Sequence, residues 1–312
     1  MKLRNLLRRS DGRSAFAPSA FPEGATMLFG IGAQKAGTTW LYDYLSSSPE
    51  VHFCRNKELH YFDVRAGHGK LSLDIRTKIL RDLAETLQNQ GPRLRPQTLD
   101  RAQEMLDLLR IYTGSESGPE RHAPYLAYLL EGWNEQKVVA DITPAYAILT
   151  RRDFSDMASI GQAKFVFIMR DPVSRMWSQI RMAVSTAQKN ASPEALAEGC
   201  AERARMLIDT GRLKNIERAD YRRTLTELEA AVGETRRLYV FYEDLFSGKA
   251  PGQICDFLGI DRMPHDGTRR VNEGAKIPLP PELEAIFRET FEPQYRLVRE
   301  RFGAAVPESW RE

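Results

Sequence analysis

Hydrophobic positions along the chain fall into two kinds of run, and their order predicts a fold. Short, nearly unbroken apolar runs occur at Met27-Leu28-Phe29-Gly30-Ile31, Val51-His52-Phe53, Lys137-Val138-Val139-Ala140-Asp141, Phe165 to Met169 and Arg237 to Tyr242. Runs of this length read as strands, and the most continuous of them as strands buried on both faces of a parallel sheet. Between them the spacing turns helical: Thr38 to Leu45 follows the first run, with Pro49 marking its exit, and a helix begins at Val173 after the fourth. Residues 70–131 carry three helical stretches, KLSLDIRTKILRDLAETLQNQ, LDRAQEMLDLLRIYTG and HAPYLAYLLEGW. In the second, Leu99, Ala102, Met105, Leu106 and Leu109 recur at helical spacing and predict one buried face. The stretch GPRLRPQ suits the connection before it. Strands alternating with helices predict an α/β domain of three layers, a central parallel sheet flanked by helices. Ligands of such sheets sit at the carboxyl ends of the strands. Gly32 to Thr39, Thr143, Arg170 and Glu243 all fall at those ends.

Composition narrows the class without naming a ligand. With 312 residues, 42% hydrophobic and 28% charged, the chain has ample length for a sizeable core. A net charge of +3, from 45 basic and 42 acidic residues, is too near neutral to imply a nucleic-acid partner. Cys54, Cys200 and Cys255 are odd in number and lack metal-ligand spacing, which fits a reduced, cytoplasmic setting. No segment has the apolar length of a membrane span, and the first residues lack a secretory core. Residues 1–23, with Lys2, Arg4, Arg8, Arg9 and Arg13, read as a basic disordered leader, and a membrane-surface or partner-binding arm is the other reading. Residues 24–312 then form a single domain, with a helical insertion at about 64–135.

The chemistry concentrates at two strand ends. In GIGAQKAGTTW, residues 30–40, Gly32 and Gly37 keep the glycine spacing of a nucleotide triphosphatase P-loop, G-x-x-x-x-G-K-[ST]. The lysine is displaced: Thr38 follows Gly37, and Lys35 sits inside the loop. Strand, glycine loop and helix aim backbone N–H groups and a helix dipole at an anion, so Ala36, Gly37, Thr38 and Thr39 are candidates to surround one phosphate, with Lys35 at its shoulder. No acidic pair faces this loop to hold magnesium, so no metal is expected, although Asp141 and Glu243 are strand-end carboxylates. The second strand end, RDPVSRMWSQ, puts Arg170 at the tip and Ser174 and Ser178 four apart on the next helix. An arginine and a serine on a first helical turn make a second anion pocket. Two anion sites in one sheet predict a ligand with two separate phosphate groups.

GAQKAGTTWLYDYL and KFVFIMRDPVSRMWSQ resemble the two signature elements of the sulfotransferases that use 3′-phosphoadenosine 5′-phosphosulfate (PAPS), from about Met27 to the C-terminal helices and with residues 64–135 outside the resemblance. The resemblance implies a P-loop-like fold, PAPS as co-substrate, PAP as product and a hydroxyl-bearing small-molecule or glycan acceptor. It puts Lys35, Gly37, Thr38 and Thr39 on the 5′ end, and Arg170 and Ser178 on the 3′-phosphate. RNKELHYFD at 55–63 is similar to the K-E-x-H-[FY]-F segment of the heparan-sulfate-type branch, which implies Glu58 as base with His60 assisting. Two residues apart, these side chains point one way if the backbone is extended, and the glutamate suits its task if burial lifts its pKa. ADITPAYAIL resembles that branch's K-T-P-A-Y-F segment, but Ile142 stands where it has lysine, which puts a sulfated-polysaccharide acceptor in doubt. The branch's disulfide-bearing loop has its counterpart in RRVNEGAKIPLPPEL, where Lys276 or Arg270 would close the site. ADYRRTLTELEAAVGETRRLYVFYEDL also resembles the family's helix and strand before the C-terminal helices; for Tyr221, packing is the first expectation and an approach to the adenine or acceptor the other reading. A P-loop kinase or NTPase, and a non-catalytic nucleotide-binding module, remain the alternatives.

Overall fold

A computed structural model describes residues 20–90, 95–114, 117–118, 120–267 and 277–310. Most of the leader, the GPRL segment and the basic loop with Arg270 and Lys276 lie outside the described residues. Five strands, β1 (Thr26–Gly32), β2 (Val51–Phe53), β3 (Val138–Ile142), β4 (Gln162–Met169) and β5 (Arg237–Phe241), form one sheet in the order β2-β3-β1-β4-β5. Every pairing is parallel. The helices are α1 (Thr38–Ser46), α2 (Tyr61–Arg65), α3 (Lys70–Gln90), α4 (Pro96–Arg110), α5 (Ala123–Leu129) and α6 (Arg151–Met157). They continue with α7 (Pro172–Ala187), α8 (Pro193–Asp209), α9 (Tyr221–Ala231), α10 (Lys249–Leu258) and α11 (Pro281–Phe302). The predicted α/β architecture is what the chain adopts.

The central strands are the continuous apolar runs because both of their faces are covered. Every residue of β1 and of β3 is buried. Phe29 of β1 stacks on Phe165 of β4 at 5.3 Å and meets Phe62 edge-on at 5.6 Å. Ile142 explains one glycine: a Cβ on Gly30 would lie 2.9 Å from its side chain, so the strands close only around a bare backbone. β5 stands at an edge and is half-buried over its first three residues.

β1 is flanked by β3 and β4, and the chain leaves β1 toward one side of the sheet and β4 toward the other. Such a point of divergence opens a crevice above the strand ends. Both candidate anion elements begin there.

Two local expectations change. α4 buries Leu108, while Leu99 and Leu106 face outward, so its inner stripe is rotated from the one its spacing suggested. The packing partners α3 and α5 choose the face, since the helix has apolar residues on more than one side. Residues 55–60 are not extended: Glu58 and His60 have φ of 59° and 56°, and His60 caps α2. No helix among the described residues is long and apolar enough to cross a membrane.

Candidate active site

The loop after β1 is a tight turn with three left-handed or otherwise positive φ values, at Gly32, Lys35 and Gly37. Gly37 has φ 96°, and a Cβ there would lie 2.6 Å from Leu245 and 3.1 Å from Tyr242. It is also the N-cap of α1 and offers no side chain to the first turn. The first N–H groups of a helix have no internal partner, so this end of α1 is free to receive an anion. Ala36 departs from expectation. Its amide donates to Ala33 O at 3.1 Å and its side chain is buried, so it shapes the turn and does not face the opening.

The segment after β4 holds that loop in place. Arg170 donates to Lys35 O at 3.0 Å, and its guanidinium lies 4.3 Å from the centre of the Tyr242 ring. Arg175, fully buried one and a half turns later, donates to Gln34 O at 3.4 Å and to Gln179 at 3.0 Å. Asp171 caps α7 by accepting from the Ser174 amide at 2.7 Å. Tyr221 is packed as expected, but its hydroxyl also has work: it donates to Arg170 O at 2.6 Å and accepts from the Arg170 amide at 3.2 Å. Ser178 faces the same opening as Arg170, whereas Ser174 is exposed elsewhere.

The segment carrying Glu58 reaches the opening from the other side. Lys57 donates to Thr39 Oγ1 at 2.7 Å, tying the segment to the first turn of α1. Arg76 of α3 donates to Glu58 O and Leu59 O, both at 2.8 Å, and the Tyr112 hydroxyl donates to Leu59 O at 2.8 Å. His60 Nδ1 lies 2.8 Å from Asp63 Oδ2, a carboxylate acceptor that places the ring hydrogen on Nδ1. Its Nε2 then faces Glu58 Oε2 at 3.9 Å. Asp63 is fully buried, and the Glu58 carboxylate is 40% exposed. The burial anticipated for the glutamate is therefore not supplied by the protein alone.

Below these groups Asp141 anchors the floor. Tyr125 and Tyr146 donate to its Oδ2 at 2.9 and 2.8 Å, and Thr143 to its Oδ1 at 2.7 Å. Burial holds this carboxyl above the usual range, against the pull of the three hydroxyl bonds. The Tyr61 amide donates to Tyr146 at 3.1 Å, so the His60 segment is pinned to the same floor.

One cavity of about 510 Å³ gathers Lys35, Gly37, Thr38, Thr39, Glu58, His60, Arg170 and Ser178. Lys35 is held below its ordinary pKa first by burial, then by the charges of Arg170 and Arg181, with Glu58 acting in the opposite direction. Arg181, Arg218 and Tyr242 also line the cavity and were not singled out from sequence. Arg181 was within reach, being three residues after Ser178 and hence on its helix face. Arg218 lies in a short 3₁₀ turn with no pattern to flag it. Among the described residues no group of three metal-ligating side chains forms.

Residues 28–264 match the sulfotransferase family. Among solved structures the chain is similar to a sulfotransferase from Alicyclobacillus acidocaldarius, with 16% identity, a TM-score of 0.57, and 93% of this chain and 99% of that one covered. It is also similar to the sulfotransferase domain of the Synechococcus PCC 7002 olefin synthase, with 19% identity, a TM-score of 0.44, and 95% and 100% of the two chains covered. The first likeness shows a shared fold. No curated protein matches the chain.

Proposed function

The chain belongs to the sulfotransferase family, and we propose that it moves a sulfuryl group from PAPS to an acceptor hydroxyl by in-line displacement. The observation that carries this reading is the single cavity where both anion-binding elements meet a glutamate at the sheet's point of divergence. PAPS supplies an activated sulfuryl group on a phosphate, and the residues do the rest.

The uncapped first turn of α1, with Gly37, Thr38 and Thr39, binds the 5′-phosphate, and Arg170 and Ser178 bind the 3′-phosphate. Lys35 stands at the oxygen that bridges phosphorus and sulfur. As the bond from that oxygen to sulfur breaks, the electron pair stays on the oxygen, and the lysine cation stabilises the charge. Glu58 takes the proton of the acceptor hydroxyl while the acceptor oxygen bonds to sulfur, and His60, oriented by Asp63, presents its Nε2 lone pair to the carboxyl that has taken up the proton. Acceptor binding completes the burial of Glu58 by displacing water. The displaced lysine of the loop thus has a reason: a bridging oxygen, and not a β/γ-phosphate pair with its metal, is the group to be stabilised.

Calorimetric titration with PAP in EDTA tests the donor site. Metal-independent binding that weakens at least tenfold in both Lys35→Ala and Arg170→Ala is the expected result. Binding of ATP with magnesium, in place of PAP, would overturn the reading in favour of a kinase or NTPase.

A further inference from the structure

Three of the most exposed large hydrophobic side chains among the described residues converge on this one cavity. Leu71 and Ile75 of α3 are 67% and 51% exposed, and Met182 of α7 is 40% exposed. Single exposed apolar residues are ordinary, but a cluster at a binding cleft is not. Leu71 and Ile75 are four apart and share one face of α3. Met182 brings the apolar lip up to the reacting cation, with its Sδ 3.7 Å from Lys35 Nζ.

The cavity is therefore divided by chemistry. Its cations, Lys35, Arg170, Arg181 and Arg218, lie with the loop after β1, the segment after β4, α7 and the 3₁₀ turn before α9. An anionic donor would engage that half. The α3 part of the lining consists of Leu71, Ile75 and the polar Ser72, and Pro144, Ala145, Trp40 and Phe246 add further apolar surface to the cavity. Hydroxyl-rich or anionic sugars would leave their polar groups unpaired along such a wall, at a cost. Arg76, next to Ile75, donates to the carbonyls of Glu58 and Leu59, so α3 is tied directly to the segment that carries the glutamate.

We infer that the acceptor is an alcohol or phenol carried on an apolar body, which lies along Leu71, Ile75 and Met182 and presents its hydroxyl to Glu58 and Lys35. This rests on the sulfotransfer reading of the same site and deepens it.

The test measures transfer from PAPS to primary alcohols from 1-butanol to 1-decanol and to a 4-alkylphenol series, with glucose and N-acetylglucosamine as polar comparisons. PAP affinity is measured in parallel. The expected result is a kcat/KM that rises with chain length, up to about fourfold per buried methylene, through KM. In a Leu71→Ser/Ile75→Ser double variant the slope flattens and KM for the longest acceptor rises at least tenfold, while PAP affinity holds. Both positions are exposed, so the variant keeps its fold. PAP binding with sugars used as well as decanol, or with no transfer to any alcohol or phenol, overturns the inference and leaves the donor site standing. Absence of both PAP binding and transfer overturns the sulfotransfer reading, and this inference with it.

Discussion

Lys35 carries opposed demands. It sits at φ 67° in a loop where burial and two arginine charges disfavour its cation. Its folded pKa is depressed below the ordinary 10.5, so stability linked to this group is complete only above that value and is lost as pH falls through the folded pKa. At neutral pH the lysine therefore destabilises the fold. Lys35→Met is expected to raise Tm in a thermal melt while lowering the transfer rate by about 10²–10³-fold, the loss typical of removing one preorganised donor. The same shift predicts an alkaline limb in kcat/KM below pH 10.5, and Lys35→Arg should move it upward. Gly37 faces a different constraint. At φ 96° and 2.6 Å from Leu245, a Cβ is both strained and crowded. Gly37→Ala is expected to cost about 2 kcal/mol or more in urea unfolding and to weaken PAP binding with it.

At the scale of elements, the site is assembled by side chains that reach from one segment to the backbone of another. Arg170 and Arg175 grip the loop carbonyls, Tyr221 of α9 brackets Arg170, and Arg76 of α3 grips the Glu58 segment. Tyr221→Phe removes a buried hydroxyl with two partners and should destabilise by about 1–3 kcal/mol and loosen PAP binding, as chemical unfolding and calorimetry would report. Arg76 is a positioning residue on the other half. Arg76→Ala is expected to lower kcat for acceptor sulfation at least tenfold while leaving PAP affinity unchanged, a split that general destabilisation would not produce. Part of this scale was readable in advance. The strand runs and the helix after Gly37 follow from periodicity alone, and α3 spans the stretch its pattern predicted. The buried face of α4 was not, because two of its sides are apolar and its neighbours decide between them.

For the whole molecule, the parallel order β2-β3-β1-β4-β5 makes one crevice from two loops separated by more than a hundred residues. A ligand that bridges them should hold the sheet together. PAP at a hundredfold excess over its Kd should add about 2.7 kcal/mol of stability. The matching rise in Tm is expected to vanish in Arg170→Ala. Residues 64–135 reach this crevice through α3, whose Leu71, Ser72 and Ile75 line the cavity, and reach the floor beneath it through Tyr125 of α5.

The sequence by itself determined the α/β class and marked Lys35, Arg170 and Ser178 at two strand ends as candidates for anion binding, because apolar runs and local turn chemistry are properties of neighbours in the chain. Glu58 and His60 were marked by the resemblance of their segment to a known family. Tertiary structure decided which of these face one another. It turned Glu58 and His60 toward the cavity through left-handed backbone instead of a strand, and turned Ala36 away. It also brought Arg181, Arg218, Leu71 and Ile75 to the same opening. Their placement depends on how α3, α7 and the turn before α9 pack around the sheet, and such long-range contacts leave no local periodicity to read.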